Sequence, residues 1–153
     1  MSLTRRTLFA GGAATAALIV VACTKSEAAL AMKVYKITEC TCCEGWVDHL
    51  RKSGFKVEVE ERADLADFNR KLGIPDDLSS CHTGVVGDYV MTGHIPADDI
   101  KKFLAAAPKA KGLAVPGMPL NSPGMEVAGE PTERYTVWQF DTDGKRIAFA
   151  EHS

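Results

Sequence analysis

Three of the five cysteines, Cys40, Cys42 and Cys43, fall within four consecutive positions, and Cys81 is followed directly by His82. Packing alone requires no such clustering, whereas thiolate chemistry does: thiolates attack disulfides and bind soft metals. Thiolates joined by an imidazole suit copper(I), zinc or an iron–sulfur cluster, and serve the oxygen-demanding calcium and magnesium poorly. Structural zinc sites draw on two separated knuckles of spaced cysteines. Adjacent Cys42 and Cys43 strain to chelate one tetrahedral ion, but they can point at different ions or bridge them, which low-coordinate copper(I) tolerates. Met118 and Met125 add soft thioether sulfur. Copper(I), as one ion or several and with copper(II) as its oxidised form, is the favoured metal, and zinc the weaker one. The expected ligands are Cys40, Cys42, Cys43, Cys81 and His82, with His94, Met118 and Met125 as outer or transient contacts.

Other uses of the same residues compete with this one. Four cysteines can form two structural disulfides in an exported protein. Cys40 and Cys43 have C-x-x-C spacing, so a metal-free thiol–disulfide oxidoreductase is the alternative, with Cys42 competing as a resolving thiol. An iron–sulfur electron carrier is a third. His49 lies among Asp48, Arg51 and Lys52 and reads as a solvated or supporting residue, while His152 reads as a frayed terminus.

The elements that must position these residues alternate between strand and helix. Residues 33–37 alternate apolar and polar side chains over a strand length, and the cysteines follow at once. Trp46, Val47 and Leu50 recur at helical spacing over 43–53, and Gly54 supplies a stop. A second strand over 55–61 exposes Glu58, Glu60 and Glu61, and a second helix carrying Leu65, Phe68 and Leu72 ends at Gly73 and Pro75. Gly87-Asp88 forms a tight hairpin turn between 85–86 and 89–91, and Pro96 starts a third helix that stops around Pro108. Residues 108–133 hold five of the seven prolines and read as one long Pro/Gly loop, before a C-terminal hairpin turning at 141–144. The order β-α-β-α-β-β-α predicts a thioredoxin-like α/β domain with the thiols at the first βα junction. Strand ends of open α/β sheets are where ligand sites gather. In that arrangement the segment before the third strand, Ser80-Cys81-His82-Thr83, folds against the junction. It contains no proline, which weakens the exchange-enzyme reading.

With 153 residues, one domain is expected. Apolar residues are 46% and charged ones 25%, which are globular values. The formal net charge of −2 and the absence of any basic block argue against nucleic acid as a partner. Residues 1–31 are organised as an export signal: Arg5-Arg6 resembles a twin-arginine motif, and 8–22 is uncharged but shorter than the ~20 apolar residues of a membrane span. Cleavage before Cys23 would make a lipoprotein, the one route to membrane attachment. Cleavage after Ala31 would release a soluble domain over 32–153. Either way the destination is the periplasm or envelope.

The motifs Cys40-Thr41-Cys42-Cys43-Glu44-Gly45-Trp46, Ser80-Cys81-His82-Thr83, Gly93-His94-Ile95-Pro96, Gly112-Leu113-Ala114-Val115-Pro116-Gly117-Met118-Pro119 and Ser122-Pro123-Gly124-Met125-Glu126 occur in that order. In this the chain resembles the CopG-like copper-resistance proteins, a family many of whose members are known only as metal-binding. The resemblance covers about residues 33–150. It implies a thioredoxin-like periplasmic protein that binds copper through the C-x-C-C cysteines and the Cys-His pair and serves copper tolerance. Other envelope copper-handling proteins are the implied partners. Members commonly have glycine where Thr41 and Glu44 stand here, a departure that leaves the ligands intact. A mixed thiolate and imidazole set also suggests interconversion of the two copper oxidation states, which would make a binding protein a copper oxidoreductase.

Overall fold

A computed structural model describes residues 30–153, so the twin-arginine motif and Cys23 lie outside the described residues. Strand β1 (Ala31–Lys36) leads into helix α1 (Thr41–Lys52), and β2 (Lys56–Glu61) into α2 (Leu65–Lys71). A 3-10 turn over Asp76–Leu78 precedes the hairpin of β3 (His82–Val86) and β4 (Tyr89–Gly93). Helix α3 (Ala97–Ala106), β5 (Gly112–Val115), β6 (Tyr135–Phe140) and β7 (Arg146–His152) complete the chain. The seven strands form one sheet in the order β2-β1-β3-β4-β5-β6-β7. β1 pairs parallel with β2 and antiparallel with β3, which pairs antiparallel with β4.

Alternation along β1 sends Met32, Val34 and Lys36 inward. Met32 and Val34 meet Trp46, Val47 and Leu50, the apolar stripe of α1, and Ile100 and Phe103 of α3 join the same core. Burying side chains of this size contributes roughly 1.5–3 kcal/mol each, which holds α1 in place despite an N-cap, Cys40, that makes no side-chain capping bond. A second cluster on Ile74, Leu78, Val90, Ala114 and Phe140 fills another part of the core. Trp46 and Met91, expected in the core, are fully buried.

Three expectations are corrected. Helix α1 begins at Thr41, two residues before the apolar periodicity does, so Cys42 and Cys43 lie in its first turn and Cys40 is its N-cap. Residues 108–133 are not one loop. The four residues of β5 are all buried, pairing parallel with β4 and antiparallel with β6, so the Pro/Gly loop proper runs only between β5 and β6. His152 is not frayed: it pairs with Tyr135 in the β6–β7 ladder and its Nε2 lies 2.6 Å from Oδ2 of the buried Asp99. Among the described residues, no helix is long and apolar enough to cross a membrane.

Candidate metal centre

The end of β1, the first turn of α1 and the start of β3 converge on four sulfurs. The Sγ atoms of Cys40, Cys42, Cys43 and Cys81 all lie within 4.8 Å of one another. Cys40 and Cys43 are joined by a disulfide, and Cys42 and Cys81 are free thiols. Cys40 Sγ sits 3.4 Å from Cys42 Sγ and 3.6 Å from Cys81 Sγ, and Cys43 Sγ 3.5 Å from Cys81 Sγ. Of the two structural disulfides that four cysteines allow, one is formed here. Cys40 and Cys43 are buried, whereas Cys42 and Cys81 are half-buried. The amide end of α1 points its positive potential at this cluster and favours negative charge there. Burial nevertheless pushes the Cys81 thiol above its ordinary range, and neighbouring Cys42 adds to the effect.

Cys81 is held by elements distant in sequence. Its carbonyl accepts the Ile37 N–H at 3.1 Å, fixing it against the end of β1. Asn69 of α2, fully buried, donates to Ser79 Oγ at 2.8 Å and to the Ser80 carbonyl at 3.3 Å, and accepts from Thr83 Oγ1 at 2.9 Å. That amide straddles Cys81 and His82 and sets where β3 begins. Lys36, only 5% exposed and opposite His82 in the β1–β3 ladder, bonds Glu61 at 2.8 Å and lies 3.9 Å from Glu44. The start of α1 is thereby tied to the end of β1. Neither Asn69 nor Lys36 stands out in the sequence, because a lone amide or lysine acquires this role only through its burial.

Two histidines lie behind the sulfurs. His82 Nδ1 is 3.6 Å from Cys81 Sγ, and its ring packs on Trp46 at 4.6 Å and edge-on to His94 at 4.7 Å. His94 Nδ1 is 2.9 Å from the Pro123 carbonyl, so that nitrogen carries the proton and Nε2 is left as an acceptor. Both rings are fully buried, and both Nε2 atoms lack a partner. Buried polar atoms are rarely left unsatisfied, and an imidazole whose other nitrogen donates to a carbonyl is the usual arrangement of a metal-ligating histidine. Burial, with His94 adding to it, pushes the His82 pKa down to about 3. Burial also lowers that of His94, partly offset by the Pro123 carbonyl and Glu126. Both therefore stay neutral and able to bind metal at neutral pH.

The loop after β5 reaches this corner through glycine. Gly124 has φ +88°, and a Cβ there would lie 2.5 Å from the Trp46 nitrogen and 2.8 Å from the Cys42 carbonyl oxygen. Gly45 of α1 faces it, with a Cβ position only 2.9 Å from Gly124 Cα. The loop thus lies directly on the first turns of α1, bringing the Pro123 carbonyl to His94 and half-buried Met125 beside the thiol end of the helix. Met118 is 60% exposed. His49 is neither free nor beside the thiols: its Nε2 accepts the Ala97 N–H at 3.0 Å and caps α3, and burial lowers its pKa accordingly.

Once Cys40 and Cys43 are reduced, this corner offers four sulfur donors backed by unpaired imidazole nitrogens, and no carboxylate in the cluster. Such a set fits copper(I) best, accepts zinc, and repels hard cations.

Comparison with known proteins bears on the same residues. A family model described as a protein of unknown function, DUF411, matches residues 78–125, the segment carrying Cys81, His82, His94, Met118 and Met125. A comparison with curated proteins found no match. Two solved structures, named copper resistance protein copG in form 1 and form 2, are similar to the chain at 40% identity. The first match covers 81% of this chain and 98% of that one with a TM-score of 0.76, and the second 82% and 99% with 0.77.

Proposed function

The chain belongs to the family of the copper resistance protein CopG, and from that premise we propose that it is an exported, periplasmic or envelope protein of copper tolerance that holds copper(I) at the cysteine corner. The observation that carries the reading is the convergence of four Sγ atoms within 4.8 Å, drawn from two distant segments, against two buried histidines with unpartnered nitrogens. Cys40, Cys42, Cys43 and Cys81 are the proposed thiolate ligands and His82 the proposed imidazole ligand. His94, Met118 and Met125 complete the outer contacts. Four sulfurs in one cluster also accommodate more than one copper(I), since adjacent Cys42 and Cys43 need not bind the same ion. Copper is the cargo of such a protein, and other envelope copper-handling proteins are its partners. The β2-β1-β3-β4 order, with α1 leaving the parallel strand β1, supports a thioredoxin-like reading of this part of the fold.

Metal analysis tests the reading. Reduced protein loaded anaerobically with copper(I) should retain at least one copper per chain in preference to zinc, and a Cys42→Ser, Cys43→Ser variant should lose it. Copper retention unchanged in the variant would refute the site.

One observation favours a second reading. The disulfide closes the C-x-x-C pair, Cys40 and Cys43, at the start of α1, as a thiol–disulfide oxidoreductase would have it. That reading requires disulfide-reductase turnover by metal-free protein, and no turnover leaves copper handling alone.

A further inference from the structure

The same four sulfurs can store electrons as well as bind metal. Cys40 and Cys43 form a disulfide while Cys42 and Cys81 remain thiols, with Cys40 in contact with both and Cys43 with Cys81. The cluster therefore has a four-thiol state and a state of one disulfide and two thiols, separated by two electrons and two protons. Burial divides the pairs. Cys40 and Cys43 are 7% and 0% exposed, closed to a substrate protein, whereas Cys42 and Cys81 are half-buried and open to a metal ion entering or leaving. The Cα atoms of Cys40 and Cys43 stand 5.3 Å apart, within the ordinary range for a disulfide, so the turn of chain that carries them accommodates the bond.

We propose, resting on the copper-handling reading above, that the Cys40/Cys43 dithiol is the electron donor that reduces copper(II) to copper(I), and that Cys42 and Cys81 keep hold of the product. Each copper(II) takes one electron. The two thiols give up two electrons, the S–S bond forms between Cys40 and Cys43, and two protons pass to solvent as two copper(II) become two copper(I). Two thiols remain outside the bond, and low-coordinate copper(I) can be held by that pair. His82 Nδ1, 3.6 Å from Cys81 Sγ, flanks it. The disulfide form is then the spent state of the cluster, and an external dithiol returns it to the four-thiol form by exchange.

The test uses metal-free protein in two states, fully reduced and with the Cys40–Cys43 bond already formed. Each is mixed anaerobically with two equivalents of copper(II) and a chromogenic copper(I) chelator, then alkylated and mapped by mass spectrometry. The reduced protein should yield two copper(I) per chain, with a Cys40–Cys43 bond and with Cys42 and Cys81 alkylated. The disulfide form should yield none, and reduced Cys40→Ser protein should form no such bond and lose most of the yield. Equal copper(I) from the preformed-disulfide protein would overturn the proposal, as would copper(I) production that leaves Cys40 and Cys43 alkylatable or that instead joins Cys42 to Cys81. Direct addition of copper(I) separates the two levels of the argument. Copper(I) retained without dithiol-driven reduction defeats the electron-donor proposal alone, and copper(I) retained by neither state defeats the copper-handling reading beneath it.

Discussion

Metal-free protein should lose stability in mild acid, and His82 should supply the largest share of the loss. Its ring is fully buried between Trp46 and His94, its Nε2 has no partner, and its pKa is pushed down to about 3. In the unfolded chain the same ring has its ordinary pKa of about 6.5. Between those values the unfolded state binds a proton that the folded state refuses, so stability is present above about pH 6.5 and drains away as the pH falls. By about pH 4.5 the loss is two pH units at roughly 1.36 kcal/mol each, about 2.7 kcal/mol, against a total of ~5–15 kcal/mol for an ordinary domain. His94 and His49, also lowered by burial, add to the same slope. Urea unfolding of the reduced protein near pH 7 and pH 4.5 measures it, with His82→Leu as the reference that removes the titrating ring but keeps an apolar group. The parent should lose about 2.7 kcal/mol more than the variant. Equal losses would refute the reasoning, as would an NMR titration of the parent showing His82 protonated at pH 4.5.

Other predictions follow from packing. Gly124→Ala forces a side chain into a left-handed backbone position and against the Trp46 nitrogen and Cys42 carbonyl, and should cost about 2–3 kcal/mol in denaturant unfolding while weakening copper(I) retention. Unchanged retention would show that the loop does not support the thiol turn. Asn69→Ala leaves Thr83, Ser79 and the Ser80 carbonyl short of partners and should cost about 2–3 kcal/mol, with faster alkylation of Cys81 as its positioning loosens. His152→Ala leaves buried Asp99 with only Lys102, 3.4 Å away, and should cost about 1.5–3 kcal/mol by thermal unfolding, where a frayed terminus would cost nothing.

The sequence made the thiol corner legible because its ligand types are rare and clustered, and because the strand before them and the helix after them have clear periods. Helix starts are harder to read: Thr41 and Cys42 lie outside the apolar stripe, so the first turn of α1 became visible only with its backbone. β5 escaped notice for a related reason. Gly112-Leu113-Ala114-Val115 is a short buried run with no alternation, set among prolines, and it is a strand because β4 and β6 supply its hydrogen bonds from both sides. The Cys40–Cys43 pairing could not be chosen from spacing among four cysteines. The contact between His82 and His94, and the Pro123 carbonyl that orients His94, join segments far apart in the chain and exist only in the folded corner.

X-ray absorption at the copper edge of reduced, copper(I)-loaded protein tests the central claim most directly. The account predicts a first coordination sphere dominated by sulfur, with imidazole scattering that disappears in His82→Leu and sulfur scattering that falls in Cys81→Ser. Coordination by oxygen and nitrogen alone, or a spectrum unchanged by both substitutions, would contradict it.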